Sequence, residues 1–275
     1  MSASAPWRRL PFSNEPMGRQ LALSEAMLAK LPATNRPALR WYVPREPALV
    51  LGNGQKPSIV SQAAVEAAGI SVYRRTSGGA AVLVTDDLLS LDVALPAAHP
   101  LATTDVVLAY QWMGEAWEDA LHALSAAKAR ALPTAEQRAI PAPPKDDPLR
   151  LACFGTLSPW EVVVGKRKLV GLCQVRRRPG ALYQVGVHLR FQPKALGDLL
   201  DLNHNTRKIL GTRLHNAVAA LDEALGRPTT TDAVIAAVES ALAERFGVRL
   251  EDAAWTPSEL AQAEAIERER FQPLM

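Results

Sequence analysis

The sequence predicts an α+β fold in which a mixed, mostly antiparallel sheet is flanked by helices, with a small helical part at the C-terminal end. Three observations carry this. Seven short β-rich runs are separated by Pro, Gly or Asp signals, two long stretches place apolar residues at helical spacing, and the composition turns helical again from Thr229. Residues 1–226 are the expected α+β part and residues 227–275 the small helical segment.

Between Pro16 and Leu31, Met17, Leu21, Leu28 and Leu31 recur on one helical face, which predicts an amphipathic helix packed on the sheet. The expected strands are Leu39–Val43, Ala48–Leu51, Ser71–Arg74, Leu88–Leu95, Glu161–Val164, Lys168–Val175 and Leu182–Leu189. Gly165-Lys166 reads as a tight hairpin and Pro179-Gly180 as the next turn, so the last three strands form a meander. Thr104 is positioned to cap a long helix whose stripe of Val106, Tyr110, Met113, Trp117, Leu121 and Leu124 packs as core. The Ala-, Pro- and charge-rich stretch Ala126–Leu149 is expected to be a mobile surface excursion. Near the end, Asp232–Phe246 reads as a helix, and Thr256-Pro257-Ser258-Glu259 carries a capping-box start for another.

A chain of 275 residues, 48% hydrophobic, is long enough to bury a large core. With 31 Lys and Arg against 28 Asp and Glu the net charge is only +3, too small for a nucleic-acid footprint but compatible with an acidic protein partner. No apolar run approaches the roughly 20 residues that span a bilayer, and no signal peptide is evident, so the protein is expected to be cytoplasmic. Two cysteines make no disulfide framework; each is either packing or a reactive thiol. The five histidines have no metal-ligand spacing, and no metal site is expected.

The chemistry concentrates in two segments. In Val72–Val82 an apolar strand ends in Arg74 and Arg75, followed by Thr76, Ser77 and Gly78-Gly79. Backbone N–H groups and fixed positive charge are thereby brought to one spot, a site for an acyl or phosphate group, although Gly-Gly between two strands also serves as an ordinary turn. The second segment runs from Ala152-Cys153-Phe154 through Glu161 to the hairpin Val162–Gln174. Period-two alternation places Lys168, Val170, Leu172 and Gln174 on one face and Leu169, Gly171, Cys173 and Val175 on the other, unless a bulge intervenes. Cys153 lies in an irregular stretch where a thiol is not obliged to be core, and a cation such as Lys168 or Arg75 would favour its thiolate. Cys173 reads as packing. Arg176, Arg177 and Arg178 with Arg190 form a basic cluster that is either a solvated edge or a steering surface.

Together these segments resemble the biotin/lipoate protein ligase superfamily, within it the lipoate-protein ligases and, more closely, the cysteine-dependent octanoyl-acyl carrier protein:protein N-octanoyltransferases. The matching motifs are Arg74-Arg75-Thr76-Ser77-Gly78-Gly79-Ala80-Ala81-Val82, Cys153-Phe154 ahead of Glu161-Val162-Val163, and Gly165-Lys166-Arg167-Lys168 with Gly171 and Gln174. Trp7–Leu28, Pro47–Gln55 and Leu260–Phe271 extend the likeness over most of the chain. The resemblance implies a ligase-like catalytic fold and transfer of an octanoyl or lipoyl group to a lysine of a lipoyl domain or glycine cleavage H protein, with acyl carrier protein as donor. Cys153 would hold the acyl group as a thioester and Lys168 would reach its carbonyl. Arg74, Arg75, Ser77, Gly78, Gly79, Ala80, Gly171, Gln174 and Gly186 would bind substrate. This route needs no cofactor; ATP and Mg enter only if the chain is instead an ATP-dependent lipoate-protein ligase.

The chain departs from the family pattern at informative places. Val84 and Val185 stand where relatives have histidines, and Leu172-Cys173 replaces Ser-Ala. These losses leave room for a third reading, a catalytically weakened relative that binds the acyl group or the lipoyl domain without turnover.

Overall fold

The computed structural model describes residues 5–275; the first four residues of the expected catalytic part lie outside that range. The chain opens with two three-residue strands, β1 (Trp7–Arg9) and β2 (Ser13–Glu15), and helix α1 (Met17–Ala29). The expected amphipathic helix is thus present, with Pro16 at its N-terminal boundary. A single turn, α2 (Leu31–Thr34), ends at Asn35 and leads into β3 (Ala38–Pro44) and β4 (Ala48–Leu51). Then follow α3 (Gln62–Ala68), β5 (Ser71–Arg74), β6 (Val82–Val84) and β7 (Leu88–Pro96).

The long helix begins later than expected. Helix α4 (Gln111–Ala123) starts seven residues beyond Thr104, because the Asp105 carboxylate accepts hydrogen bonds from the N–H groups of Val107 and Leu108 and holds a separate turn ahead of it. Val106 is consequently exposed, while Met113, Trp117 and Leu121 are buried as the stripe requires. The Ala/Pro-rich excursion is also more regular than expected: it opens with an edge strand, β8 (Ala129–Ala131), and a short helix, α5 (Thr134–Ala139). Two 3-10 turns, Pro148–Leu151 and Cys153–Gly155, bring the chain to β9 (Val162–Val164), β10 (Arg167–Arg177) and β11 (Gly180–His188). These three strands form the expected antiparallel meander. Gly165 turns the first hairpin at φ +63°, a conformation open to glycine at no steric cost.

The remaining elements are α6 (Ala195–Leu199), α7 (His204–Ala217), α8 (Leu221–Leu225), α9 (Thr231–Phe246), β12 (Leu250–Asp252) and α10 (Pro257–Arg270). The capping box at Thr256 and Glu259 is formed as read.

The strands build two sheets where one was expected. The larger runs β12-β1-β3-β7-β11-β10-β9-β8, with β2 also on β3; the smaller runs β5-β4-β6. Pairing is parallel among β12, β1, β3 and β2 and antiparallel from β3 onward, so the large sheet is mixed and mostly antiparallel. One face of it packs Trp41, Leu91, Val93 and Val187 against Trp117 of α4 and Val238 and Leu242 of α9. The other face, with Tyr42 and Leu88, meets the small sheet, α1 and Phe154 in a second core. A buried charge network ties α1 to this face: Arg40 and Asp92 are 2.8 Å apart at zero exposure, Ser24 Oγ donates to Asp92, and Arg40 donates to Gln20 Oε1. The site lies between the two sheets.

Candidate functional site

The loop after β5 is held by its own arginine. Arg75 donates to the carbonyl oxygens of Gly78 at 2.9 Å and Ala80 at 3.0 Å, which curls the loop around the guanidinium. The turn packs tightly on β4: a Cβ on Gly52 would lie 1.9 Å from the carbonyl oxygen of Gly79, and Gly79 itself sits at φ +93°. Gly52→Ala should therefore push the loop off its seat, at a cost of about 1–3 kcal/mol in stability and roughly tenfold or more in acyl transfer. Gly54→Ala, whose Cβ would meet nothing within 4 Å, is the control. Equal melting temperatures and rates for the two variants would show that the seat is unimportant.

Beyond the loop, the backbone is stapled to the segment that carries Cys153. Ala81 N–H donates to Leu151 O at 2.9 Å and Cys153 N–H donates to Ala81 O at 2.8 Å. Cys153 Sγ thereby comes to 3.6 Å from Arg75 Nη2, and a Cβ on Gly79 would lie 3.8 Å from it. Of the two cations expected beside the thiol, Arg75 is the one at the sulfur.

Lys168 approaches from behind. Its Nζ donates to Glu161 Oε1 at 2.8 Å and to the carbonyl oxygen of Cys153 at 3.1 Å, with lysine and glutamate side chains only 2% and 4% exposed. This overturns the face assignment made from strict alternation. Against β9 the register of β10 shifts by one residue between Lys168 and Val170, so Leu169 and Val170 both enter the core and Lys168 turns to the side of Gly171 and Cys173. Sequence reasoning placed Glu161 in the motif ahead of Val162-Val163 but gave it no role, although an acid immediately before an apolar strand, facing a lysine across a tight turn, is a readable signal. Burial pushes its carboxyl up, and the Lys168 ammonium opposes that shift.

Facing the thiol is an apolar cavity. Gly171 and Gly186 sit opposite one another on β10 and β11; a Cβ on Gly171 would press on the Phe154 ring at 3.2 Å, whereas one on Gly186 would make ordinary contact with Leu88 and that ring, at 3.4 and 3.7 Å. Met17, Leu21, Tyr42, Val84 and Leu88 continue the lining, with Cys153 at one side and Cys173 at the other. Cys173 Sγ donates to Ser77 Oγ at 3.6 Å, and burial pushes its thiol up to about 11.

Several expected residues are placed elsewhere. Gln174 points to the opposite face and donates to the Val106 carbonyl, and Arg74 is half-buried on β5, outside the cavity lining. Val185 packs in the core with its pairing partners Leu91 and Leu172, and both replaced histidine positions, Val84 and Val185, border the cavity. Arg190 pairs with Asp87 at 2.7 Å at one end of β11, whereas Arg176–Arg178 lie at the other, so they form no single basic cluster. Among the described residues no group of three His, Cys, Asp or Glu is placed to hold a metal, and no helix is long and apolar enough to cross a membrane.

The model of the lipoyl protein ligase A/B catalytic domain matches residues 16–243. The chain belongs to that family. It is 30% identical to an octanoyltransferase LipM from Kyrpidia tusciae and 27% identical to one from an Exiguobacterium species, covering 94% of both chains in each case. Its fold is similar to that of a bi-partite lipoate protein ligase from Thermoplasma acidophilum, solved in a study of that ligase and its E2 lipoyl domain. The TM-score is 0.77 at 18% identity, over 97% of this chain and 93% of that one.

Proposed function

We propose that the protein moves an octanoyl group, or a lipoyl group, from an acyl carrier protein thioester to a lysine of a lipoyl domain through a thioester on Cys153. The observation that carries this reading is the position of Cys153. A thiol is set beside the Arg75 guanidinium at the edge of an apolar cavity, next to a loop in which the N–H groups of Ser77, Gly78, Gly79 and Ala80 donate to no partner among the described residues. The acyl chain fills the cavity between Phe154, Tyr42 and Leu88. The Cys153 thiol gives its proton to solvent, the thiolate attacks the donor carbonyl, the carbon–sulfur bond to the donor breaks, and the donor sulfur leaves as a thiolate that takes a proton back from solvent. The free loop amides face the oxygen that gains charge, and the Arg75 guanidinium lies beside the attacking sulfur. Lys168 fixes the main chain of Cys153, and its third N–H remains for the acyl carbonyl.

The test is direct. The protein is incubated with an apo lipoyl domain and either octanoyl-acyl carrier protein or free lipoate plus ATP, and the acceptor mass is followed. Gain of one octanoyl group from the carrier without ATP is expected. Acylation only from the free acid with ATP would replace this reading with a ligase, and no acylation from either would leave a binding protein.

A further inference from the structure

His188 is a buried imidazole that the thioester route leaves unused. It is 5% exposed, its ring lies 4.6 Å from that of Phe154 and 4.8 Å from that of Phe191, and its nitrogens make no hydrogen bond among the described residues. The space beside it is a second cavity, distinct from the acyl cavity but sharing Val82, Cys153 and Phe154 with it as lining. Cys153 therefore borders both cavities. One is apolar and suits a chain; the other carries Thr85, Asp86, Asp87 and Arg190 at its rim.

We infer that this second cavity receives the primary amine of the acceptor lysine and that His188 is the group that takes its proton. The inference rests on the thioester reading above. As the amine nitrogen bonds to the acyl carbon and the carbon–sulfur bond of Cys153 breaks, the nitrogen must lose one proton and the departing sulfur must gain one. An imidazole lining the cavity at Cys153 accepts the first and returns it as the second, so no other reactant is needed. Burial pushes His188 down to about 4, which leaves the ring neutral at physiological pH with one nitrogen lone pair available. The charges at the rim favour the cationic lysine side chain over the phosphodiester-bearing arm of a carrier protein; its ammonium releases one proton to solvent before the neutral amine attacks, and the proton lost on attack is the one that His188 takes. Asp86 and Asp87 face a single cation, Arg190, which is already paired with Asp87 at 2.7 Å, so one negative charge is left over.

The two half-reactions separate the possibilities. The full chain is loaded with octanoyl-acyl carrier protein, the Cys153 adduct is quantified by quenched-flow mass spectrometry, and an apo lipoyl domain is then added. In His188→Ala and His188→Gln, loading should remain within about twofold of the parent while transfer to the lipoyl domain slows about a hundredfold, so that the acyl-enzyme accumulates. Added imidazole should restore part of the transfer in His188→Ala. Gln retains the size and hydrogen bonding of the side chain but cannot carry the proton, and its failure to transfer separates proton transfer from packing. Unchanged transfer in His188→Ala, full transfer in His188→Gln, or loading and transfer falling in parallel would each overturn the inference. Should the parent protein never load Cys153, the thioester reading falls first, a result seen before any variant is made.

Discussion

Cys153→Ser is expected to lose the hydroxylamine-labile octanoyl adduct and to lower transfer to a lipoyl domain at least about a thousandfold, the scale on which removal of a nucleophile is felt. A serine hydroxyl in the same place has the Arg75 guanidinium beside it, but a single cation cannot bring an alkoxide into a useful range. Cys173→Ser should keep the adduct. The two thiols line the same cavity, yet their surroundings differ: burial pushes Cys173 up to about 11, so near pH 7 it stays a thiol, bonded to Ser77 at 3.6 Å. Peptide mapping of the octanoylated protein checks both statements. An adduct on Cys173, or transfer that survives in Cys153→Ser, would sink the thioester mechanism.

What the sequence made legible was local, and what it concealed depended on pairing. The Thr256–Glu259 cap, the Gly165 turn and the 180-region turn follow from residues a few positions apart, and all three are formed. Cys153 and the Gly78-Gly79 loop were likewise readable because each motif is contiguous, and backbone bonds through Ala81 bring them together. The bulge that turns Lys168 toward Cys153 is a property of two strands at once, so alternation along one of them could not place it. The same holds for β1 and β12, three residues each, whose pairing of Trp7 with Leu250 joins the two ends of the chain. Helix α4 shows a different failure: Thr104 and Asp105 are both competent caps, and the aspartate closes its own turn first. His188 offers no metal-ligand spacing in the sequence; only the fold sets it between Phe154 and Phe191 in a cavity that Cys153 also lines.

Lys168→Ala is expected to fail twice over, in stability and in transfer, and the two losses can be pulled apart. Removing one partner of a buried ion pair leaves the other uncompensated, at a cost of about 3–5 kcal/mol. With Glu161 only 4% exposed on its side chain, the melting temperature should fall by roughly 10 °C. Lys166→Ala, on the exposed hairpin turn, should stay within about 0.5 kcal/mol of the parent. The decisive protein is the double variant Lys168→Met with Glu161→Gln. Both charges are then gone, no ion is left buried, and most of the lost stability should return. Transfer should not return. The donor that pins the carbonyl of Cys153 at 3.1 Å is missing, and with it the N–H proposed to face the acyl oxygen, a loss typically worth about a hundredfold in rate. Thermal melts and single-turnover transfer on the three variants supply the comparison. If the double variant recovers rate together with stability, Lys168 is a strut of the fold, and the amides of the glycine loop with Arg75 stabilise the acyl oxygen without it.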